Sequence, residues 1–355
     1  MSVAVLPPLS ASRVAVDAGE LGLGRALRVA IVGAGVMGKR HARVLASNRE
    51  RFALVAVMDV DPRAAGELSE AYGAEASARD VDAIELADAV VVATPIFAHA
   101  LSVRRALARG RHVLVEKPVA ATASEGAELV ELAEKSGARL FVGHSERFNP
   151  VVRALARRVE PESVEAIALQ RVGTTRARGS GDGALVNLGV HDFDLAAYLS
   201  RSELALTHAT SGAGEDGGSG AEDRADVSAV TASGARVHVV VDQRPHDGRR
   251  RRSIELTTRA HVWEGDLLAS TLSRVCRRTG VRESIPVGTD EPLLLQALAF
   301  FAALRGDAAG GLEAGLAAEI ADGRDGKNAL LVAEHARRAA SRAPPGGKLG
   351  VPRRF

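Results

Sequence analysis

A lone cysteine, Cys276, is the entire thiol complement of this 355-residue chain. It excludes an internal disulfide framework and any zinc or iron–sulfur site built on clustered cysteines, and it fits a reducing compartment. No cluster of His, Asp and Glu has metal-ligand spacing, so no metal site is expected. No apolar run approaches the ~20 residues that span a bilayer, and the first residues lack the basic start and compact apolar core of a secretory signal. Membrane and export roles are therefore not expected, and the chain reads as cytoplasmic. Charge of one sign is lacking too: 46 Lys and Arg stand against 44 Asp and Glu, a net +2. That balance speaks against a nucleic-acid binder, while a pI near 8.9 tolerates anionic small ligands. No repeat at solenoid periods is present.

What is there suits a soluble globular chain of about two domains, with 46% hydrophobic and 25% charged residues. Residues 1–26 read as a loose extension, 27–149 as a first domain, 150–342 as a second and 343–355 as a flexible tail. In the first domain, Arg28–Val32, Ala53–Asp59, Ala89–Ala93, His112–Glu116 and Arg139–Val142 are short apolar runs. Continuous rather than alternating runs suit strands buried on both faces of a parallel sheet. Helical periodicity fills the gaps near 37–48, 62–72, 98–109 and 123–136, with Gly110 and Gly137 as C-terminal stops. The alternation predicts a doubly wound α/β domain.

After Pro150 the texture changes. Val164–Arg171, Leu204–Thr210, Ala225–Thr231, Ala235–Asp242 and Ser253–Thr258 read as strands, and helices return near 191–200, 292–305 and 327–342. This predicts an α+β domain with a mainly antiparallel sheet. The Gly-rich residues 211–224 read as a surface loop, and Arg249–Arg252 as an exposed turn.

The first strand runs into Gly33-Ala34-Gly35-Val36-Met37-Gly38, a G-x-G-x-x-G that opens a helix. Its glycines permit a tight turn, close backbone approach to a pyrophosphate and close helix–strand packing, while the helix N-terminus offers free N–H groups to phosphate. Asp59 lies 26 residues after Gly33, near the ~20 of a dinucleotide fingerprint. A carboxylate there would accept from ribose hydroxyls and repel a 2′-phosphate, which favours NAD over NADP. Asp61, before Pro62, reads as a helix cap.

Ala93-Thr94-Pro95, then His99, then Gly110 through Glu116-Lys117-Pro118 resembles the Gfo/Idh/MocA oxidoreductases, and the resemblance runs from residue 28 to about 342. It implies that Thr94, Pro95, His99 and Glu116 lie at the cofactor and that Lys117 lies beside the nicotinamide, touching cofactor and substrate hydroxyl. A partly desolvated lysine there has its charged form disfavoured and can join proton transfer. Gly183 through Asp194 is similar to the family's D-x-x-x-H segment, implying that His191 is the acid/base facing the carbinol; an imidazole titrates near neutrality. Where the family has the acid, this chain has Asn187, which can position a hydroxyl but cannot stabilise imidazolium as a carboxylate would.

A narrower resemblance lies in Gly143-His144-Ser145-Glu146-Arg147-Phe148-Asn149-Pro150 and Arg171-Val172-Gly173, which look like the family's UDP-N-acetylglucosamine 3-dehydrogenase branch. It implies oxidation of a nucleotide-sugar hydroxyl, with Asn149 at the substrate and Arg147, Arg171, Arg176 and Arg178 as candidates to meet a diphosphate. His41, on the apolar helix face, reads as a core histidine. The family also implies a homo-dimer or homo-tetramer. Two other readings share the fold: a glycoside hydrolase that keeps NAD and oxidises its sugar transiently, and a non-catalytic nucleotide- or sugar-binding relative.

Overall fold

The computed structural model describes residues 25–173, 182–213, 221–244, 250–306 and 312–342. The expected N-terminal extension and C-terminal tail lie almost wholly outside them. So do Arg176 and Arg178.

The first part alternates as its periodicity predicts: β1 (Leu27–Val32), α1 (Val36–Ala46), β2 (Phe52–Met58), α2 (Pro62–Tyr72), β3 (Glu75–Ser77), α3 (Asp80–Glu85), β4 (Ala89–Val92), α4 (Ile96–Leu107), β5 (His112–Val115), α5 (Ala123–Ser136) and β6 (Leu140–Val142). The six strands form one parallel sheet in the order β3-β2-β1-β4-β5-β6, a Rossmann arrangement. Local chemistry sets the helix ends. Asp61 accepts from the Arg63 N–H to cap α2, Thr122 and Glu125 form a capping box on α5, and Gly137 at φ 71° closes α5. β3 and α3 have no counterpart in the expected pattern, because β3 is three half-polar residues at a sheet edge.

The chain divides after Phe148, and Glu291–Lys327 groups with the earlier unit rather than with 150–342. The reason is apolar. Helix α8 (Pro292–Arg305) buries Leu293, Leu295, Phe300 and Leu304 in the same cluster as Val29 and Ile31 of β1 and Leu45 of α1. Phe300 meets Phe141 edge-on at 5.6 Å, and Phe301 meets Phe52 at 5.5 Å. The short helix α9 (Leu312–Ala317) follows, then α10 (Gly323–Arg342).

The second unit, Asn149–Asp290 with Asn328–Arg342, is α+β. Its helices are α6 (Pro150–Ala156) and α7 (Val190–Ser200), the latter preceded by a π-helical turn, Leu185–Gly189. Its strands are β7 (Val164–Val172), β8 (Leu204–Ala213), β9 (Glu222–Thr231), β10 (Arg236–Asp242), β11 (Arg251–Thr258), β12 (His261–Asp266), β13 (Thr271–Cys276) and β14 (Arg282–Ile285). They form one sheet, β14-β13-β12-β11-β7-β10-β9-β8, antiparallel except where β7 meets β10. Val237, Val239 and Val241 pair in register with Ile167, Leu169 and Arg171, so these six side chains share the face that α7 covers.

Two expectations change here. The segment 211–224 is not a loop throughout, since β8 runs to Ala213 and β9 starts at Glu222; 214–220 lie outside the described residues. Nor is 249–252 a turn throughout. Arg251 and Arg252 begin β11, opposite Val172 and Arg171, because the β7 ladder supplies their backbone partners. Among the described residues, no helix is long and apolar enough to cross a membrane.

Candidate active site

In the first unit, the expected cofactor residues gather at the C-terminal ends of β1, β2, β4 and β5. Each glycine of the first turn has its own reason. Gly33 has φ 105°, and a Cβ on it would lie 2.6 Å from the Ala93 carbonyl oxygen, so the turn after β1 touches the end of β4. A Cβ on Gly38 would collide with the Gly33 carbonyl oxygen, so α1 seats directly on the turn. A Cβ on Gly35 would meet nothing within 4 Å. Gly35 is the N-cap of α1, has no side-chain cap, and the first turn carries no acid. The amides of Val36 and Met37 therefore follow an open backbone, with the partial positive charge that suits a phosphate.

Asp59 follows β2 directly. Its Oδ2 accepts from the Ala34 N–H at 2.7 Å and its Oδ1 from the Asp61 N–H at 2.9 Å. The carboxylate thus fastens the glycine turn to the end of β2 and still has lone pairs for a ribose diol.

Thr94 and Pro95 form the turn from β4 into α4, with Pro95 as N-cap. His99, buried in the first turns of α4, places Nδ1 2.8 Å from the Pro118 carbonyl oxygen and Nε2 2.9 Å from that of Thr94. Burial pushes its imidazole below the ordinary value, so the neutral ring donates to one of the two. It braces the β4 turn against the segment that carries Lys117. It does so from behind the backbone, with the ring itself out of solvent.

Glu116 and Lys117 follow β5, and the Lys117–Pro118 peptide is cis. The Glu116 carboxylate is buried and accepts from His41 Nε2 at 2.8 Å. Burial pushes this carboxyl up, but the His41 hydrogen bond and the neighbouring Lys117 charge help outweigh it, leaving Glu116 below its ordinary value. Its partner is thus a core histidine on α1. Sequence reasoning treated His41 and Glu116 separately and missed that they pair. It also passed over two exposed apolar side chains, Val60 two residues after β2 and Phe97 in the first turn of α4, which are 88% and 83% exposed.

In the second unit, His191 sits in the first turn of α7 and Asn187 in the π-helical turn before it. Asn187 Nδ2 donates to the Asp182 carbonyl oxygen and, at 3.3 Å, to Gln243 Oε1. Arg171 is 2% exposed and grips Asp192 through Nε and Nη2, at 2.8–3.1 Å. Asp192 therefore neutralises a buried arginine. Asn149 caps α6, accepting from the Val151 N–H and donating to the Leu267 carbonyl oxygen, both at 3.0 Å. Arg147 belongs to the first unit, buried, with Nη1 3.2 Å from Asp325. Among the candidates for a diphosphate, Arg147 and Arg171 thus already hold carboxylates.

Residues 27–144 match a family model described as an oxidoreductase family with an NAD-binding Rossmann fold, and residues 153–263 match the GFO/IDH/MocA C-terminal domain. An inositol 2-dehydrogenase from Rhizobium meliloti is 32% identical over 223 residues, 59% of this chain and 66% of that protein. The chain spans about two thirds or less of the length of the curated relatives it matches. Among solved structures, the UDP-N-acetylglucosamine 3-dehydrogenase GnnA from Acidithiobacillus ferrooxidans superposes with a TM-score of 0.77 at 22% identity, covering 88% of this chain and 97% of its own. An inositol dehydrogenase homolog from Azotobacter vinelandii, complexed with NADH and myo-inositol, gives 0.78 at 19% identity, covering 90% and 96%. At such identities these two likenesses show a shared fold.

Proposed function

We propose, on the premise that this chain belongs to the Gfo/Idh/MocA oxidoreductase family, that it oxidises a secondary hydroxyl of a sugar or polyol with NAD as hydride acceptor. The observation that carries this reading is the row of strand ends in the first unit. Gly33, Gly35 and Gly38 form a turn that fits a pyrophosphate, Asp59 is anchored to that turn, and Lys117 follows β5 in the same sheet. NAD, when bound, supplies the two-electron acceptor.

The chain's own part is positioning and proton transfer. Asp59 presents a fixed carboxylate to a ribose diol and opposes a 2′-phosphate by charge, which favours NAD over NADP. A carbinol carbon that gives up a hydride must also shed its hydroxyl proton. His191 is the base assigned to that proton, because imidazole takes and returns one near neutral pH. By the family resemblance Lys117 is assigned to the cofactor, where an ammonium can stabilise negative charge developing on a neighbouring oxygen. Asn187 bears no charge, so its share is to hold a hydroxyl in place.

The finer reading is a nucleotide sugar resembling UDP-N-acetylglucosamine. It is supported by the Gly143–Pro150 segment and by the fold shared with GnnA. On this reading the diphosphate is met by groups other than Arg147 and Arg171, since Asp325 and Asp192 hold those guanidinium groups. A panel of UDP-sugars, free sugars and inositols, each with NAD, is to be followed by absorbance of the reduced cofactor. Accumulation of reduced cofactor with at least one UDP-sugar is expected. Turnover of free polyols alone would reject the nucleotide-sugar reading, and binding of NAD without any turnover would reject the dehydrogenase reading.

A further inference from the structure

Two buried side chains of the first unit take no part in the steps assigned so far. Glu116, directly after β5, sets its Oε1 2.8 Å from Nε2 of His41 on α1. Both are buried, His41 at 2% and Glu116 at 9% exposure. In the sheet β4 separates β1 from β5, so this one contact ties the helix after the glycine turn to the residue before Lys117. The end of β6 closes on the same carboxylate. A Cβ on Gly143 would lie 3.1 Å from Glu116 Oε2, so the glycine leaves the carboxylate its place.

An ionised carboxylate can only accept, so the His41 ring carries its proton on Nε2. Burial opposes the charge on Glu116, yet the His41 hydrogen bond and the neighbouring Lys117 charge help hold the carboxyl below its ordinary value. His41, Lys117 and His99 are the titratable groups that face it. Coupling of this kind is reciprocal: as far as the Lys117 ammonium favours the carboxylate, the carboxylate favours the ammonium.

We propose that His41 and Glu116 are positioning residues for Lys117: a carboxylate held at the end of β5 keeps the lysine charged, so that it serves as a standing cation at the cofactor rather than as a carrier of protons. This rests on the dehydrogenase reading. Desolvation by itself drives a lysine toward the neutral amine. The buried negative charge offsets that drive, and proton transfer is left to His191.

The test reads the lysine directly. The chain has five lysines, so protein labelled with 13C-lysine gives few Cε resonances, and Lys117→Met identifies the one at 117. Glu116→Gln deletes the charge while its Oε1 still accepts from His41, and it should fold with a thermal midpoint within about 5 °C of the parent. In it the Lys117 Cε titration should fall by about one pH unit or more, while that of Lys135, exposed on α5, stays within about 0.2. An unmoved Lys117 would overturn the proposal. His41→Leu should give the same fall, because a buried carboxyl without its donor takes a proton, and His41→Gln, whose amide can still donate, should restore the parent curve. A fall in Glu116→Gln with none in His41→Leu would remove His41 from the proposal. The alkaline limb of kcat/KM should move down with the lysine in Glu116→Gln, a shift that loosened packing does not produce. The titrations need neither NAD nor sugar. A shifted lysine without turnover on any sugar would therefore uphold the pair and reject the dehydrogenase reading, and turnover with an unmoved lysine would do the reverse.

Discussion

Replacing His112 with asparagine isolates one proton in the first unit. His112 opens β5, and its Nδ1 accepts from the Arg139 N–H at 3.1 Å, so the ring must keep that nitrogen unprotonated. Burial, and then the neighbouring Arg139 charge, push the imidazole down from 6.5 to about 4, with Asp88 opposing them. Since the folded value lies below the unfolded one, the unfolded chain takes the proton first as pH falls. The stability carried by the neutral ring is complete above about pH 6.5 and is lost toward pH 4. From those two values the loss is about 2 kcal/mol at pH 5 and about 3 kcal/mol once pH is below 4. An asparagine Oδ1 can accept from the same N–H but does not titrate. Urea unfolding followed by circular dichroism at pH 7.5 and pH 5, on parent and His112→Asn, cancels every other titrating group. The parent should lose about 2 kcal/mol more than the variant over that interval. Equal losses in the two proteins would show that the His112 ring does not titrate in this way.

The glycine turn separates folding from binding: Gly35→Ala, at φ −71° with open space around it, should leave the thermal midpoint within about 2 °C yet weaken NAD binding at least about tenfold by calorimetry. Gly38→Ala, whose Cβ would strike the Gly33 carbonyl oxygen, should instead lower the midpoint or abolish soluble expression. Asp59→Ser should move the ratio of kcat/KM for NADP over NAD upward by about tenfold or more, and a parent that prefers NADP would contradict the assignment. His191→Ala should reduce kcat by about 10²–10⁴-fold with NAD affinity little changed, and turnover within about threefold of the parent would place the base elsewhere. Lys117→Met should bind NAD but lose most hydride transfer, read as reduced cofactor formed in a single turnover.

Where a residue's role depends on its neighbours in the chain, the sequence made it legible. The glycine turn, the caps of α2 and α5 and the apolar runs of β1, β4 and β5 are all local, and each formed close to its expected span. β12, β13 and β14 were missed because they take one apolar residue at most in every two and end in the exposed Arg-Glu-Ser of an edge strand, which no continuous apolar run announces. Pairings across the fold were beyond reach. His41 lies 75 residues from Glu116, and Asn187 lies 56 from Gln243. Nothing in either local segment names the other. Arg171 shows the opposite hazard. It reads as a free cation in a basic-looking stretch, yet the strand parity that turns Leu169 inward turns Arg171 inward too, onto Asp192.

The return of Glu291–Lys327 to the first unit has a bearing on how the chain is made. Synthesis delivers β1 through β6 early, but Leu293, Leu295 and Phe300, which share their core, emerge some 150 residues later. Until then the nascent unit carries uncovered apolar surface, on Phe52 and Phe141 among others, while the whole of the second unit's sheet is being translated. Folding of the first unit therefore cannot be completed in the order of translation. A fragment stopped near residue 149 would lack one wall of its own core, and should be recovered in soluble form only when a segment containing α8 is supplied in trans.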